Sequence, residues 1–317
     1  MKKKSSYNFD KKYKILVIGS SGLIGKSLVN GLIKKKIKPI CYDLLKPESK
    51  SNIVFVKGSI ENLDNLYKKT KNIKIDVVIH LAAYLGVRNT ELNRLKCLNT
   101  NILGTINVLN FCKKKRIKKI IFSSSSEVYG EGGSFFLKED FFLKPKSIYG
   151  LTKVVNEEYI KEYCKKYNLN FNICRFFNIY GVSQNKEFVI PNFVNKIKNN
   201  KFIKIYGKGN QVRSFCYVDD ATKALIKLIF QNKKNKIYNI GNNKEPIKII
   251  NLAKLVYKLS KKKVKIKKIN FLKSDRTSKR EIYERKPDIS KAIKELNYNP
   301  KIKLIDGIKK LLNENII

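Results

Sequence analysis

The sequence predicts an α/β protein, with a parallel sheet that is covered by helices on both faces. Through the first two-thirds of the chain, short apolar runs rich in β-branched residues alternate with stretches of helical periodicity. Continuous apolar runs of this kind are typical of strands buried inside a parallel sheet. After Phe176 the alternation loosens, and we expect most of the remaining chain to form a smaller lobe.

The elements can be assigned in order along the chain. Strands are expected at Lys14–Ile18, Lys38–Tyr42, Ile53–Lys57, Val77–Leu81, Ile117–Ser123 and Asn170–Arg175. Helices are expected between them, at about Leu23–Lys35, Leu63–Lys69, Leu98–Lys114 and Tyr149–Tyr167. A helix at Val218–Phe230 and a strand at Lys236–Ile240 are expected to return to the sheet. These assignments predict a sheet domain of residues 1–176, joined by residues 216–241, and a lobe from most of residues 177–317.

The composition narrows the class of protein. With 317 residues, of which 43% are hydrophobic, the chain can bury a sizeable core. No window approaches about eighteen consecutive apolar residues, so no membrane span is expected. The basic N-terminus leads into a strand-like run without an apolar signal core, which indicates a cytoplasmic protein. The scattered cysteines lack paired short spacings and are expected to be reduced thiols in the core.

The formal net charge of +44 is typical of proteins that bind nucleic acid. The lysines, however, are spread along the whole chain, and runs such as Lys113–Lys115 and Lys261–Lys263 fall at helix ends or between elements. A compositional bias accounts for this pattern, so nucleic acid is not expected as a partner. The charge should still attract anionic ligands in a salt-dependent way.

A glycine pattern follows the first predicted strand. Gly19-Ser-Ser-Gly22-Leu-Ile-Gly25 connects that strand to an amphipathic helix, which is the context that binding of a dinucleotide requires. Gly19 permits a tight turn, Gly22 allows the backbone to approach a pyrophosphate, and Gly25 allows the helix to pack closely on the strand. Amide groups at the start of the helix would face the phosphates. The pattern predicts a Rossmann-type, doubly wound fold.

An acidic residue, Asp43, ends the second predicted strand. A carboxylate at this place can accept hydrogen bonds from both ribose hydroxyls, and it repels a 2′-phosphate. The cofactor is therefore expected to be NAD rather than NADP.

A tyrosine and a lysine, Tyr149 and Lys153, lie one helical turn apart on the same face. The spacing recurs elsewhere in this lysine-rich chain, for example at Tyr67 and Lys71. Tyr149 is distinguished by the polar run Ser123–Gly130, which directly follows a predicted strand. This run would lie at the carboxyl edge of the sheet, where doubly wound folds bind their ligands.

The chemistry of this pair suggests oxidation of an alcohol. A phenol with a pKa of about 10 is a poor base at neutral pH. An ammonium about 4 Å away, at an effective dielectric of roughly 20, would favour the phenolate by up to ~4 kcal/mol. That interaction would lower the pKa by up to ~3. Tyr149 could then take a proton from an alcohol while hydride leaves for NAD, and Ser125 could hydrogen-bond the same hydroxyl.

Taken together, the chain resembles the extended short-chain dehydrogenases/reductases of the NAD-dependent nucleotide-sugar epimerase/dehydratase family. The resemblance covers nearly the whole chain. Besides the glycine pattern, Asp43 and the Ser, Tyr and Lys residues, it is carried by His80–Ala83, Asn101–Thr105, Arg175–Gly181, Arg213–Asp220, Tyr238–Gly241 and Pro287–Ala292.

The resemblance implies specific roles. It makes Tyr149 the base, Lys153 its partner and ribose anchor, and Ser125 the group that positions the hydroxyl. The further cofactor-binding residues that it implies are Leu23, Ile24, Ser59, Ile60, Leu81, Ala82, Ala83, Asn101 and Ser123. Asn178, Arg213 and Arg276 would bind the nucleotide sugar, for which a UDP-sugar is favoured. Ser59 departs from the family, in which an acid commonly meets the adenine. The family also implies a homodimer, formed through the helices Leu98–Lys114 and Tyr149–Tyr167.

Glu127 bears on which reaction is catalysed. The corresponding position is usually uncharged in 4-epimerases, whereas sugar 4,6-dehydratases and UDP-glucuronate decarboxylases carry Glu there. Its carboxylate could act as a base, could interact with the sugar, or could only brace the loop. Ser126 stands where one class of dehydratases carries an acidic residue. We expect a 4-epimerase, with a dehydratase or decarboxylase that uses Glu127 as the alternative and a non-catalytic NAD-binding protein as a more remote one.

The single histidine, His80, is expected to be structural, and no metal site is expected.

Overall fold

The computed structural model describes residues 13–47, 52–262, 264–270 and 281–314. Its strands are β1 (Ile15–Ile18), β2 (Ile40–Asp43), β3 (Val54–Lys57), β4 (Val77–His80), β5 (Lys119–Ser125), β6 (Phe136–Leu137), β7 (Asn170–Phe176), β8 (Ile179–Tyr180), β9 (Ile203–Tyr206), β10 (Val212–Ser214), β11 (Cys216–Tyr217), β12 (Lys236–Ile240), β13 (Pro246–Lys248), β14 (Ile266–Ile269) and β15 (Glu284–Pro287).

The helices lie between and after these strands. They are α1 (Leu23–Lys34), α2 (Asp64–Lys69), α3 (Val87–Leu92), α4 (Arg94–Leu98), α5 (Gly104–Lys114), α6 (Ile148–Lys166), α7 (Val189–Lys198), α8 (Val218–Phe230), α9 (Ile249–Ser260), α10 (Ser290–Leu296) and α11 (Leu304–Asn313). None of the helices in the described ranges combines the length and the apolar character that a membrane span needs.

Seven strands form one parallel sheet, in the order β12-β7-β5-β4-β1-β2-β3. The chain builds outward from β1 in one direction and then, from β4, in the other. The carboxyl ends of β1 and β4 therefore flank the crevice in which such sheets bind ligands. The predicted fold class, a doubly wound parallel sheet of the Rossmann type, is confirmed.

The core lies on both faces of this sheet. Along β1, Ile15 and Val17 belong to the apolar cluster on one face, whereas Leu16 and Ile18 belong to the cluster on the other. This alternation is the period of two expected for a strand, and burial on both faces explains why the run is continuously apolar. All six cysteines are free and buried, as predicted.

Smaller sheets lie beside the main one. Their strand orders are β13-β10-β15-β6, β11-β8 and β14-β9. A third apolar cluster joins residues of α7, α9 and α11 to residues of β9 and β11. The pairing of β10 with β15 brings Arg213 opposite Arg285.

Most predicted elements differ from the structure by one or two residues at an end, and two differ in a way that matters for the site. The fifth strand, predicted at Ile117–Ser123, runs from Lys119 to Ser125, because Ser124 and Ser125 also pair with β7. The helix predicted at Leu98–Lys114 is divided by a π-helical segment, Asn99–Leu103. Within that segment the Asn101 carbonyl accepts bonds from two side chains, so side chains replace part of the regular backbone ladder.

Several lysines cap the carboxyl ends of helices other than their own. Their ammonium groups donate to backbone carbonyls at or just beyond these ends. The donors and their acceptors are Lys115 with Thr70 and Lys71 (α2), Lys262 with Lys198 (α7), Lys119 with Leu228 and Gln231 (α8), Lys227 with Asn297 (α10), and Lys198 with Leu311 and Glu314 (α11). A cation at this place satisfies unpaired carbonyls and complements the helix dipole. Part of the high lysine content is thus built into the fold.

Candidate active site

The glycine turn between β1 and α1 has the geometry of a phosphate cradle. Gly19 has a φ of +85°, and a Cβ there would lie 2.5 Å from the Ala82 nitrogen. At Gly25 a Cβ would lie 2.1 Å from the Gly19 carbonyl oxygen. At Gly22 the nearest atom would be 3.6 Å away. No side chain caps the start of α1, so the amides around Leu23 and Ile24 can meet an anion.

Asp43 lies at the carboxyl end of β2, directly beside this turn. Its Oδ2 accepts a hydrogen bond from the Ser21 nitrogen at 2.9 Å, and its Oδ1 accepts one from the Leu45 nitrogen at 3.2 Å. These bonds hold the carboxylate next to the phosphate cradle and leave lone pairs for ribose hydroxyls. The arrangement fits a dinucleotide with an unmodified ribose.

The loop that contains Ser59 and Ile60 follows β3 at the same edge. The Tyr42 hydroxyl donates to the carbonyls of Ser59 at 2.9 Å and Asn62 at 3.0 Å, and Asn107 donates to the Ile60 carbonyl at 3.0 Å. The loop is therefore held from two sides, although Ser59 offers a hydroxyl where the family commonly has a carboxylate.

The segment Leu81–Ala83 lines the opposite side of the turn. The nitrogens of Leu81 and Ala82 donate to the Ile18 carbonyl, at 2.8 and 3.1 Å. Asn101 then fixes the next residue: its Oδ1 accepts from the Tyr84 nitrogen at 2.7 Å, and its Nδ2 donates to the Tyr84 carbonyl at 3.0 Å. Asn101, which the sequence predicts as a cofactor-binding residue, thus supports the loop beside the glycine turn.

The predicted catalytic residues meet at the carboxyl end of β5. Lys153 is 1% exposed, and its Nζ donates to the Ser123 carbonyl at 2.7 Å. That Nζ lies 5.6 Å from the centre of the Tyr149 ring. Ser125 lies close enough to Tyr149 for its hydroxyl to favour the phenolate. The sequence therefore identified residues that the fold brings together.

The protonation behaviour differs from the prediction. Burial raises the pKa of Tyr149 above its usual value, and the charge of Glu127 raises it further, whereas the hydrogen bond from Ser125 and the charge of Arg285 lower it. Burial also lowers the pKa of Lys153 to about 7, although Cys97 and Glu157 oppose that effect. The expected lowering of the Tyr149 pKa by Lys153 was wrong for the chain alone. Desolvation of the buried phenol is the largest effect and outweighs the groups that favour the phenolate.

Glu127 is held by two neighbours. Its Oε2 accepts a hydrogen bond from the Ser147 hydroxyl at 2.6 Å, and its Oε1 lies 4.0 Å from Nη2 of Arg285. Ser147 is the N-cap of α6 and also accepts from the Gly150 nitrogen at 3.0 Å. Glu127 therefore braces the start of the helix that carries Tyr149.

Arg285 was missed in the sequence. It is 6% exposed, and its Nε and Nη1 have no hydrogen-bond partner within the described part of the chain. Burial lowers its pKa, while the negative charge of Glu127 raises it. A signal was present, because Arg285 lies two positions before the recognised stretch Pro287–Ala292.

Two of the residues predicted to bind the nucleotide sugar, Arg213 and Asn178, are hydrogen-bonded within the chain. Arg213 donates through Nη1 to the Val212 carbonyl at 2.9 Å and through Nη2 to the Ile282 carbonyl at 2.6 Å. Asn178 has a φ of +42° and donates to the Ser214 carbonyl at 2.9 Å. Both residues are thus engaged with the chain itself. Arg276 lies outside the described residues.

His80 is buried behind the catalytic residues, where the charge of Lys153 also acts on it. Its Nε2 is 3.0 Å from the Thr105 hydroxyl, and burial lowers its pKa to about 3, so the ring is neutral. This surrounding agrees with a structural role.

These elements form one site at the carboxyl edge of the sheet. A phosphate cradle and a ribose acceptor lie on one side, and a hydroxyl, a phenol and a buried lysine lie on the other. The site can bind a dinucleotide and exchange a proton with an alcohol next to it.

Comparison with known proteins agrees with this chemistry. The model of the NAD dependent epimerase/dehydratase family matches residues 15–241. A putative UDP-glucose 4-epimerase of Methanocaldococcus jannaschii is 37% identical over 94% of this chain and 97% of its own. A UDP-N-acetyl-alpha-D-glucosaminuronate decarboxylase of Bacillus cytotoxicus is 32% identical over 95% of this chain and 97% of its own.

A solved structure is similar over the same length. The UDP-glucuronic acid 4-epimerase from Bacillus cereus, in complex with UDP-glucuronic acid and NAD, superposes with a TM-score of 0.86 at 30% identity. The match covers 95% of this chain and 98% of that one. The chain therefore belongs to the NAD-dependent epimerase/dehydratase family of nucleotide-sugar enzymes, with NAD as its cofactor.

Proposed function

We propose that the protein is a nucleotide-sugar 4-epimerase, which oxidises the sugar at C4 and then reduces that carbon from its other face. The observation that carries the proposal is the placement of the Ser125 hydroxyl close to Tyr149 at the carboxyl end of β5. A hydroxyl and a phenol that lie side by side can both hold one substrate hydroxyl. Lys153 joins the same two elements, β5 and α6, through its bond to Ser123.

Tyr149 moves the proton in this proposal. Its Oη takes the proton of the 4-hydroxyl as the C4–H bond breaks and returns it to O4 when the carbon is reduced. Bound NAD supplies the acceptor of the hydride and afterwards its donor. Ser125 donates a hydrogen bond to O4, where negative charge develops. Tyr149 acts from its phenolate form, and once it has accepted the proton its raised pKa holds that proton on Oη until hydride returns to C4 and O4 becomes basic.

We further propose that the sugar carries a carboxylate. A buried guanidinium whose Nε and Nη1 lack acceptors among the described residues, as in Arg285, is unfavourable, and a substrate carboxylate could accept a hydrogen bond from it. Arg285 lies 4.0 Å from Glu127, two residues beyond Ser125, which would bring a carboxylate on C5 of a sugar held by Ser125 and Tyr149 within its reach. UDP is the favoured nucleotide, because the Bacillus cereus enzyme was solved with UDP-glucuronic acid. Arg213 and Asn178 remain the expected diphosphate ligands.

Decarboxylation of a UDP-uronate is the second candidate. Oxidation of a uronate at C4 produces a β-keto acid, which loses CO₂ readily. The Arg285–Glu127 pair and the similarity to a uronate decarboxylase favour this reaction. However, an ion pair with Arg285 stabilises the substrate carboxylate relative to neutral CO₂ and so slows its loss. Dehydration is less favoured, because both Glu127 oxygens already face other groups and Ser126 offers no acid.

The test is product analysis. Purified protein with NAD is incubated with UDP-, GDP-, dTDP- and CDP-sugars, both neutral and acidic, and the products are analysed by mass spectrometry and chromatography. An isomer of unchanged mass, formed from a UDP-uronate, is the expected result. Loss of CO₂ would establish decarboxylation, and loss of water would establish dehydration. Tyr149→Phe serves as the control, and turnover equal to wild type in that variant would contradict the proposed role of the phenol.

We also propose that the protein is a homodimer. Large apolar side chains on and near α4 and α6 are exposed, namely Leu95, Leu103, Leu151, Val155 and Tyr159. Exposed apolar side chains on neighbouring elements favour association. Size-exclusion chromatography with light scattering should give a dimer for the wild type and a monomer for Leu151→Glu/Val155→Glu. A monomeric wild type would contradict this proposal.

A further inference from the structure

A buried polar network lies directly behind the catalytic residues. Glu157 of α6 is 0% exposed, and its Oε1 accepts a hydrogen bond from the Ser124 hydroxyl at 2.5 Å. Arg175 of β7 binds the same carboxylate through Nε at 3.0 Å and through Nη2 at 2.6 Å. A carboxylate with this number of strong donors in a dry interior is rigidly held.

The network is anchored at its far end as well. Nη1 of Arg175 donates to the Tyr129 hydroxyl at 2.8 Å and to the Glu139 carbonyl at 2.9 Å. The Tyr129 hydroxyl in turn donates to Asn239 of β12 at 2.7 Å. The charges of Glu157 and Arg175 are therefore buried, paired and surrounded by further hydrogen bonds.

The position of Ser124 connects this network to catalysis. Ser124 stands between Ser123, whose carbonyl binds the Lys153 ammonium, and Ser125, whose hydroxyl lies close to Tyr149. On the helix, Glu157 is one turn beyond Lys153, as Lys153 is one turn beyond Tyr149. Contacts made by three consecutive serines thus join the end of β5 to the first half of α6.

We propose that Ser124 is a positioning residue, whose hydrogen bond to Glu157 sets the separation between the Ser125 hydroxyl and the Tyr149 phenol. Ser124 touches neither sugar nor cofactor in this proposal. It acts through the placement of α6 on β5, and the Glu157–Arg175 pair supplies the fixed anchor. The proposal rests on the proposed function only in taking Tyr149 and Ser125 as the groups that act on the sugar. The charge of Glu157 also raises the pKa of Lys153, which supports the link between the network and the site.

Replacement of Ser124 by alanine tests the proposal. Ser124→Ala removes the tie from β5 and keeps the Glu157–Arg175 pair, so the variant should fold. We expect kcat to fall on the order of tenfold, because small misplacements of reacting groups cost rate. The KM for the sugar and the amount of bound NAD should remain unchanged. Ser124→Thr, which retains the hydroxyl, should recover most of the lost kcat.

A matched control separates positioning from stability. Thr70 is also a buried hydroxyl residue, and it donates to the Leu66 carbonyl far from the site. Thr70→Val should lower the melting temperature without changing kcat. If Ser124→Ala lowers the melting temperature while kcat stays at the wild-type value, Ser124 is only structural and the proposal is overturned. A rise in KM with unchanged kcat would overturn it too.

The outcome can be separated from that of the proposed function. A wild-type protein that turns over no nucleotide sugar refutes the proposed function. In that event, crystal structures of the wild type and of Ser124→Ala decide the inference. A shift of Tyr149 relative to Ser125 in the variant supports it, and superposition of the two residues within experimental error overturns it.

Discussion

Arg285 offers a direct way to distinguish acidic from neutral substrates. Arg285→Met keeps an unbranched apolar stem and removes the guanidinium whose Nε and Nη1 have no partner within the described residues. The variant also removes the cation that lies 4.0 Å from Glu127. Two changes are therefore expected together, namely loss of recognition of a carboxylate and a stronger negative field around Tyr149.

The size of the first change follows from the hydrogen bonds involved. A hydrogen bond to a charged partner contributes about 1.5–3 kcal/mol. Two such bonds to one carboxylate do not add fully, so we take about 3 kcal/mol as the combined effect. At about 1.4 kcal/mol per factor of ten, kcat/KM for a UDP-uronate should fall on the order of 100-fold. A neutral UDP-hexose makes no ion pair, so its kcat/KM should change by less than about fivefold.

The assay compares kcat/KM for UDP-glucuronate and UDP-glucose in the same preparations. Arg285→Lys keeps the charge without the planar fork, and its activity on the uronate should lie between the other two proteins. Arg94→Met removes an exposed arginine, ion-paired with Glu91 at 3.3 Å, and serves as the control that leaves both activities unchanged. Thermal unfolding supplies a second readout, because the loss of the long ion pair with Glu127 is offset by removal of two buried nitrogens without partners in the described ranges, so the melting temperature should change little.

An equal loss for both substrates would refute the reasoning, since it would mean that Arg285 supports the site as a whole. Unchanged activity on the uronate would refute it as well. A large fall in melting temperature would show that the guanidinium is satisfied in the folded protein.

The remaining predictions concern the cofactor and its neighbours. Gly25→Ala should abolish NAD binding in isothermal titration calorimetry, because the new Cβ would lie 2.1 Å from the Gly19 carbonyl oxygen; binding within threefold of wild type would contradict this. Ser59→Asp should tighten NAD binding about tenfold, because a charged acceptor makes a stronger bond to the adenine amine than a hydroxyl does; weaker binding would contradict it. Lys153→Met should be more stable than the wild type at pH 7, and the difference should shrink as the pH rises toward 10. Burial lowers the pKa of Lys153 from its ordinary value of 10.5 to about 7 in the folded protein. Below pH 7 the folded wild type therefore carries a buried ammonium that destabilises it, and this destabilisation disappears as the pH rises from 7 to 10.5. Denaturant unfolding of both proteins across this pH range tests the prediction, and a difference in unfolding free energy that does not change with pH would refute it.

The sheet could be predicted because its signals are local. Each central strand is a short apolar run, and burial on both faces makes that run continuous, as in Ile15–Ile18. The cofactor cradle was equally accessible, because Gly19 and Gly25 are required by contacts with their own turn and the next strand. Contacts between residues close in the chain can therefore be predicted directly from the sequence.

The features that escaped prediction depend on residues far apart in the chain. Arg285 reaches the site only because β15 pairs with β10, a contact that joins residues about seventy positions apart. The π-helical segment around Asn101 follows from bonds with Asn156. The pKa of Tyr149 was predicted in the wrong direction because desolvation depends on the whole surrounding fold. No pattern of spacing reports such long-range effects.

The lysines that cap helices have a consequence for chemical modification. Lys119 and Lys198 each donate to carbonyls at the end of another helix, and burial lowers the pKa of Lys119 to about 8. Reductive methylation keeps the positive charge and at least one donor, so these ends stay capped. Carbamylation by cyanate, which is abundant in old urea solutions, removes the charge and adds bulk. Protein refolded from such solutions should therefore give a lower yield of folded chain, because carbamylated lysines no longer cap the helix ends. Loss of charge on surface lysines that cap no helix should be tolerated.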